Sequence, residues 1–83
     1  MELYKLAAEQ GYAWAQCELG FCYYRGIGVA EDKKRAVELY SLAAEQGHAR
    51  AQYNLGLCYE NGEGVAEDLC LARQWYNRYR SRS

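Results

Sequence analysis

The groups with chemical potential in this chain are few, and one of them occurs twice. "RGIGVAED" runs from Arg25 to Asp32 and "NGEGVAED" from Asn61 to Asp68. Two glycines one residue apart, ahead of a helix, are the raw material of a phosphate-cradling loop, which holds an anion on free backbone N–H groups. Here Glu31–Asp32 and Glu67–Asp68 already place carboxylates at that point, and no Lys-Ser/Thr pair follows. An incoming phosphate would be repelled. The glycines fit a tight chain reversal instead, with Val29 and Val65 tucking the loop onto the core.

The other reactive residues do not converge in sequence. Cys17, Cys22, Cys58 and Cys70 include no Cys-x-x-Cys pair, and the single histidine, His48, stands outside any ligand spacing. No metal or cofactor is expected, and the thiols are read as small buried apolar groups. Three serines (Ser41, Ser81, Ser83) and no threonine leave little for a Ser/His/acid site. A Cys–His pair would need His48 beside Cys17 or Cys58, yet His48 falls at a turn where the matching residue is Tyr12. The chain is not expected to be an enzyme.

These residues sit in a chain of 83, one compact unit at most, which buries only about 60–65% of its unfolded surface. Half its residues are apolar and a quarter charged, so it can form a core. The absence of proline and the wealth of Ala, Leu, Glu and Tyr favour helix. Up to Cys70 there are 6 basic and 11 acidic residues, followed by Arg73, Arg78, Arg80 and Arg82 without an acid. The acidic body opposes nucleic-acid binding, and the arginines suit a solvated helix C-terminus. No stretch is apolar enough to span a membrane. The start, "MELYKLAAEQG", lacks the marks of a signal peptide, so a cytoplasmic location is expected.

The organisation emerges from a period of 36 residues. Tyr4 and Tyr40, Gly11 and Gly47, Ala15 and Ala51, Leu19 and Leu55, Gly20 and Gly56, and Tyr23 and Tyr59 are all that far apart. Residues 1–36 laid over 37–72 give 23 identities, well beyond chance. Each period holds two helices. The first starts near Ala13 or Ala49, carries a buried stripe at Ala15, Leu19 and Tyr23 or Ala51, Leu55 and Tyr59, and ends at Gly26 or Gly62. Cys22 and Cys58 share that stripe. The second opens after an N-capping Asp32 or Asp68. With the partial first helix the order is B, A, B, A, B: about five helices. Gly20, Gly56 and the pairs Ala7–Ala8 and Ala43–Ala44 leave grooves for close helix approach beside bulky Tyr4, Tyr23, Tyr40 and Tyr59. Neighbouring hairpins must stack to bury their apolar faces.

With its Ala-Ala-x-x-Gly at Ala43, Ala44 and Gly47, the chain resembles the Sel1-like repeat family, relatives of the tetratricopeptide repeat. The pattern continues through Ala51, Leu55, Gly56 and Tyr59, then Gly62, Gly64, Val65, Asp68 and Ala72. The resemblance implies an all-α, α/α solenoid of helix-turn-helix repeats. Its units would be a partial repeat at 1–11, a repeat at 12–47 and a repeat at 48–83 with a C-terminal capping helix. It implies a non-catalytic scaffold or adaptor for protein–protein contacts. Two alternatives stand beside this: a structural or regulatory spacer within a larger multidomain protein, and a hydrolase of the penicillin-binding type. The latter belongs to cysteine-rich members with one disulfide per repeat. Here Cys22 and Cys58 fall at the same place in successive copies, while Cys17 and Cys70 have no counterparts.

The two copies also differ in an ordered way. The mismatches Trp14/Arg50, Cys17/Tyr53, Glu18/Asn54, Phe21/Leu57, Tyr24/Glu60 and Arg25/Asn61 step by threes and fours, so they mark one face of helix A. That face is taken to be free of the repeat's packing demands. In tetratricopeptide-like solenoids helix A lines the concave surface. Trp14, Phe21, Tyr24, Arg25, Arg50, Tyr53, Asn54 and Leu57 are therefore expected to bind a protein or peptide partner, aromatic and Arg residues being the strongest interface anchors. Leu3, Tyr4 and Leu6 lack a preceding helix A and are expected to form an apolar edge open to self-association. Tyr79 and Arg80 stand where Ala43 and Ala44 admit the next repeat, which suggests a cap. "LCL" at Leu69 to Leu71 replaces "KKR" at Lys33 to Arg35, either as a second apolar patch or as extra burial.

Overall fold

A computed structural model describes residues 2–81; Met1, Arg82 and Ser83, which belong to the two ends discussed above, lie outside the described residues. Five helices follow in chain order: α1 (Glu2–Glu9), α2 (Ala13–Arg25), α3 (Lys33–Glu45), α4 (Ala49–Asn61) and α5 (Leu69–Ser81). No strand occurs among the described residues. Each helix packs on its neighbours in the chain. Helices α1, α3 and α5 form one row (the outer row) and α2 and α4 the other (the inner row). The resulting slab is 14 Å in its thin direction, as two helix layers about 8–10 Å apart require.

Local chemistry sets the ends of the helices. Gly26 and Gly62 adopt left-handed backbone, with φ of 72° and 67°, and return their N–H groups to the Cys22 and Cys58 carbonyls. A side chain at such a residue would be strained. Asp32 Oδ1 accepts from the Arg35 N–H and Asp68 Oδ1 from the Leu71 N–H, each at 3.1 Å, so both acids cap their helices as their type foretold. Their own backbone N–H groups donate to the Tyr23 and Tyr59 carbonyls at 2.8 Å, which ties the loop to helix A. The Gly-x-Gly-Val stretch is thus a closed, self-capped turn.

The two A helices start differently. At α4, His48 Nδ1 accepts from the Ala51 N–H at 3.3 Å; at α2, Tyr12 provides no side-chain cap. An accepting Nδ1 demands a neutral ring. Burial, with Arg50 adding to it, lowers the His48 pKa below its ordinary value.

Two clusters fill the core. Ala8, Ala15, Leu19 and Leu39 form the first, and Cys17, Tyr40, Ala43, Ala44, Ala51, Leu55 and Cys58 belong to the second. Glycine permits the closest approach. A Cβ added at Gly20 would stand 3.1 Å from the Tyr40 ring, and one at Gly56 only 2.6 Å from the Tyr76 ring. The small-residue grooves are filled by tyrosines, as expected, although the ring at Gly56 is Tyr76, the copy of Tyr40. Buried Gln16 and Gln52 reach back to the preceding helix, donating to the Ala8 and Ala44 carbonyls at 3.4 and 3.2 Å. Each carbonyl also accepts a backbone N–H at 3.0 Å, from Gly11 and Gly47, so the glutamines use its second lone pair. Gln46 completes the first set by donating to Gln16 Oε1 at 2.8 Å. Gln52 Oε1 has no partner among the described residues; the position matching Gln46 is 82, outside them.

The repeat serves as its own control at the edges. Leu3 is 71% exposed, whereas its counterpart Leu39 is 4% exposed under α2. Leu6 and Leu42 are equally exposed, at 53% and 51%, so Leu6 belongs to the outer surface of every copy rather than to an edge. Leu69 and Cys70 are exposed and Leu71 is half-buried, which makes "LCL" more a surface patch than extra burial.

Two outcomes follow for stability. Gly56→Ala is expected to lose about 1–2 kcal/mol in urea melts, although alanine favours helix by about 1 kcal/mol, because the Tyr76 ring is held by its 2.6 Å bond to Glu60 and by Tyr53. A gain in stability would show that the ring yields. For His48, the folded-state pKa lies below the unfolded one, so its contribution is complete above the ordinary histidine range. It is lost as pH falls through the folded value. Between about pH 7 and 5 the wild type should lose up to about 1 kcal/mol relative to His48→Asn, which keeps an acceptor that does not titrate. Parallel pH profiles for the two proteins would refute this role.

Candidate functional site

The side chains of the inner row define a groove between α2 and α4. Phe21 and Tyr24 project from α2, and Asn54, Leu57 and Cys58 from α4. Tyr40, almost fully buried on α3, forms the floor, and Glu63 from the following loop closes one end. The cavity between them measures about 200 Å³. Helical spacing brings these groups together, since 21 and 24, and 54, 57 and 58, lie on one face of their helices.

Charges and hydroxyls fix the walls. Arg50 Nη1 meets Glu18 Oε2 at 2.7 Å, a bridge from α4 to α2. The Arg50 and Arg25 guanidinium carbons stand 5.9 and 5.7 Å from the Phe21 ring centroid. Tyr24 donates its hydroxyl to Glu63 Oε1 at 2.6 Å, and that bond, assisted by burial, pushes its pKa up to about 12. Lys33 Nζ lies 4.1 Å from the Tyr24 ring centroid and pairs with Glu31 at 3.0 Å. Both aromatic walls therefore carry cations at distances suited to cation–π attraction.

The eight residues marked in the sequence separate into four places. Phe21, Tyr24, Asn54 and Leu57 line the cavity. Arg25 and Arg50 lie beside it, against Phe21. Tyr53 faces the next furrow, a cavity of about 310 Å³ that it lines with Leu57, Glu60, Tyr76, Tyr79 and Arg80. Its ring packs 5.7 Å from Tyr76 and 5.3 Å from Tyr79. Trp14 stands apart, edge-on to Tyr4 at 6.2 Å. Cys17 corrects the expectation of an unconstrained face: it is fully buried in the core cluster with Tyr40, Ala51 and Cys58. A mismatch between copies reported a change of neighbours there, not exposure.

Tyr40 and Glu63 did not stand out in the sequence. Tyr40 belongs to the repeat's shared pattern, which drew attention to it as packing alone. Glu63 is the copy of exposed Ile27, and that difference was the available signal.

Two of the four thiols are poor nucleophiles. Burial pushes the Cys17 and Cys58 thiols up to about 11, so both stay protonated near neutral pH. His48 is engaged as a helix cap. Among the described residues no group of three or more His, Cys, Asp or Glu is placed to hold a metal ion. None of the described helices is long and apolar enough to cross a membrane.

Known proteins place the fold. The Sel1 repeat model matches residues 1–12, 15–48 and 49–78. No curated protein matches the chain. Among solved structures it is similar to a Sel1 repeat protein from Oxalobacter formigenes, with 41% identity, a TM-score of 0.83, and coverage of 84% of this chain and 29% of that one. It is also similar to a protective antigen present in uropathogenic Escherichia coli strains, displaying an SLR fold. That match has 44% identity and a TM-score of 0.91, covering 95% of this chain and 17% of the other. The chain thus spans less than a third of the length of either. Its period, its paired helices and these matches agree that the chain belongs to the Sel1 repeat family.

Proposed function

We propose that this chain is a non-catalytic interaction module that seats a partner protein or peptide in the groove between α2 and α4. Protein–protein interaction is the general role of the family. The observation that supports this particular site is the cavity lined by Phe21, Tyr24, Asn54 and Leu57 over Tyr40. An apolar side chain of the partner would enter it, losing water from both surfaces at about 25 cal/mol per Å². Asn54, half-exposed on the wall, offers both a donor and an acceptor to the partner's polar atoms.

The wider face would contribute unequally. Arg50 and Arg25 are suited to meet partner carboxylates at the rim. Tyr53, in the adjoining furrow that shares Leu57, would extend the contact, while Trp14 would reach only a longer ligand. Large, central apolar anchors dominate such interfaces, and rim charges act mainly on association rate and selectivity.

Peptides selected from a random display library against the wild type provide the test. Leu57→Arg is expected to weaken the selected binders by at least about 2 kcal/mol while the helical circular dichroism is retained, because it places an unmatched charge in the cavity. Phe21→Ala should do the same, and Trp14→Ala should have a smaller effect. Binders that tolerate both Leu57→Arg and Phe21→Ala would place the interaction elsewhere on the chain.

A further inference from the structure

The outer row encloses a furrow of its own. Between α1 and α3, above α2, a cavity of about 510 Å³ is lined by Leu19, Tyr23, Leu39 and Leu42, with Lys5 and Arg35 on its walls. One period later the corresponding positions hold Leu55, Tyr59, Trp75 and Arg78, with Ser41 and Leu71 in place of Lys5 and Arg35. In that second copy Trp75 packs against the core cluster that contains Ala44, Ala51 and Leu55. The Arg78 guanidinium carbon stands 4.4 Å from its ring centroid. In the first copy Leu39 rests on the equivalent Ala8, Ala15 and Leu19.

The same floor therefore carries an indole under an arginine in one copy, and a smaller leucine beside open space in the other. The cation has changed position without being lost. Arg78 supplies it in the second copy, whereas Lys5 and Arg35 border the cavity in the first. Arg35 is oriented by its 3.0 Å pair with Glu38, and Lys5 makes no ion pair among the described residues. Glu9 also lines the furrow, which disfavours an anionic ligand and leaves a neutral ring as the better match.

We propose that the α1–α3 furrow is a second docking site, taking a tryptophan or tyrosine side chain from a partner segment into the space beside Leu39, the counterpart of the larger Trp75 one repeat later. An aliphatic side chain could cover the same floor, but it would gain nothing from the cations beside it. The site faces away from the α2–α4 groove and does not depend on that groove's role.

N-acetyl-tryptophanamide is the probe, followed by methyl and backbone NMR on the full chain. Saturable shifts are expected at Leu19, Leu39 and Leu42, with N-acetyl-leucinamide about threefold weaker. Leu39→Trp with Leu42→Arg copies the filled furrow and should weaken the probe by about tenfold or more. Lys5→Ser with Arg35→Leu preserves the floor and should reduce the preference for the tryptophan probe over the leucine probe, a readout that remains if the filled variant does not fold. Phe21→Ala should leave these shifts unchanged, which separates this site from the inner groove. Absence of saturable shifts, shifts confined to the α2–α4 groove, or equal response to both probes would overturn the proposal.

Discussion

The contact of a tyrosine ring with a helical glycine sets the geometry on which the remaining structure depends. At Gly20 the Tyr40 ring lies where any side chain would intrude, and the same holds for Gly56 and Tyr76. Each contact joins helix A to the helix B that follows it, so it fixes how closely a hairpin closes. Tyr40 then has a second task. Nearly the whole ring is buried, because α4 covers it from the next repeat, and it forms the floor of the inner groove. One residue thus specifies the hairpin and the depth of the cavity between hairpins. Burial and neighbouring thiols raise its pKa well above the ordinary tyrosine value. The hydroxyl remains neutral across the physiological range, and no charge is placed in the core.

From that spacing the two rows acquire different surfaces. Inner-row side chains meet across α2 and α4, where aromatic rings, arginines and tyrosine–carboxylate bonds alternate. The outer row leaves furrows whose filling depends on one large or small residue, Leu39 or Trp75. The contacts that recur in both copies are small: the alanines on helix B, the glycine on helix A under its tyrosine ring, and the glutamine that reaches the preceding helix. The differences between the two copies fall outside these contacts, as expected for a quasi-one-dimensional fold in which each repeat touches only its neighbours.

Much of this architecture was legible in the sequence because its signals are local or periodic. A 36-residue period, an αL glycine and a capping aspartate act within a few residues, and Gly26, Gly62, Asp32 and Asp68 occupy the roles their types suggest. His48 was harder: its capping bond uses a ring nitrogen, and histidine is a poor statistical guide to a helix start. The site was only partly visible. Comparing copies identifies positions where neighbours differ, and neighbours differ for two reasons. Phe21 and Leu57 differ at an open wall. Cys17 and Tyr53 differ because α4 covers Cys17, whereas Tyr53 packs on Tyr76 and Tyr79 at a half-open surface. Period and spacing are blind to that distinction, since it depends on which side chains lie opposite in space.

The Arg50–Glu18 bridge shows how the inner face can be firm without being costly to remodel. Both side chains are substantially exposed, so water screens the pair and its contribution to stability is small, about 0–1 kcal/mol. Its geometric effect is larger than its energy: it joins α4 to α2 and holds a guanidinium beside the Phe21 ring. A carboxylate arriving from a partner could replace Glu18 with little net loss, keep Arg50 charged and preserve the cation–π contact. Tyr24 and Glu63 contrast with this, because their short bond shifts the tyrosine pKa strongly and spans 39 residues of sequence. One end of the groove is consequently exchangeable and the other is fixed. A ligand in such a groove would take its register from the Tyr24–Glu63 end and its electrostatic selectivity from the Arg50 end.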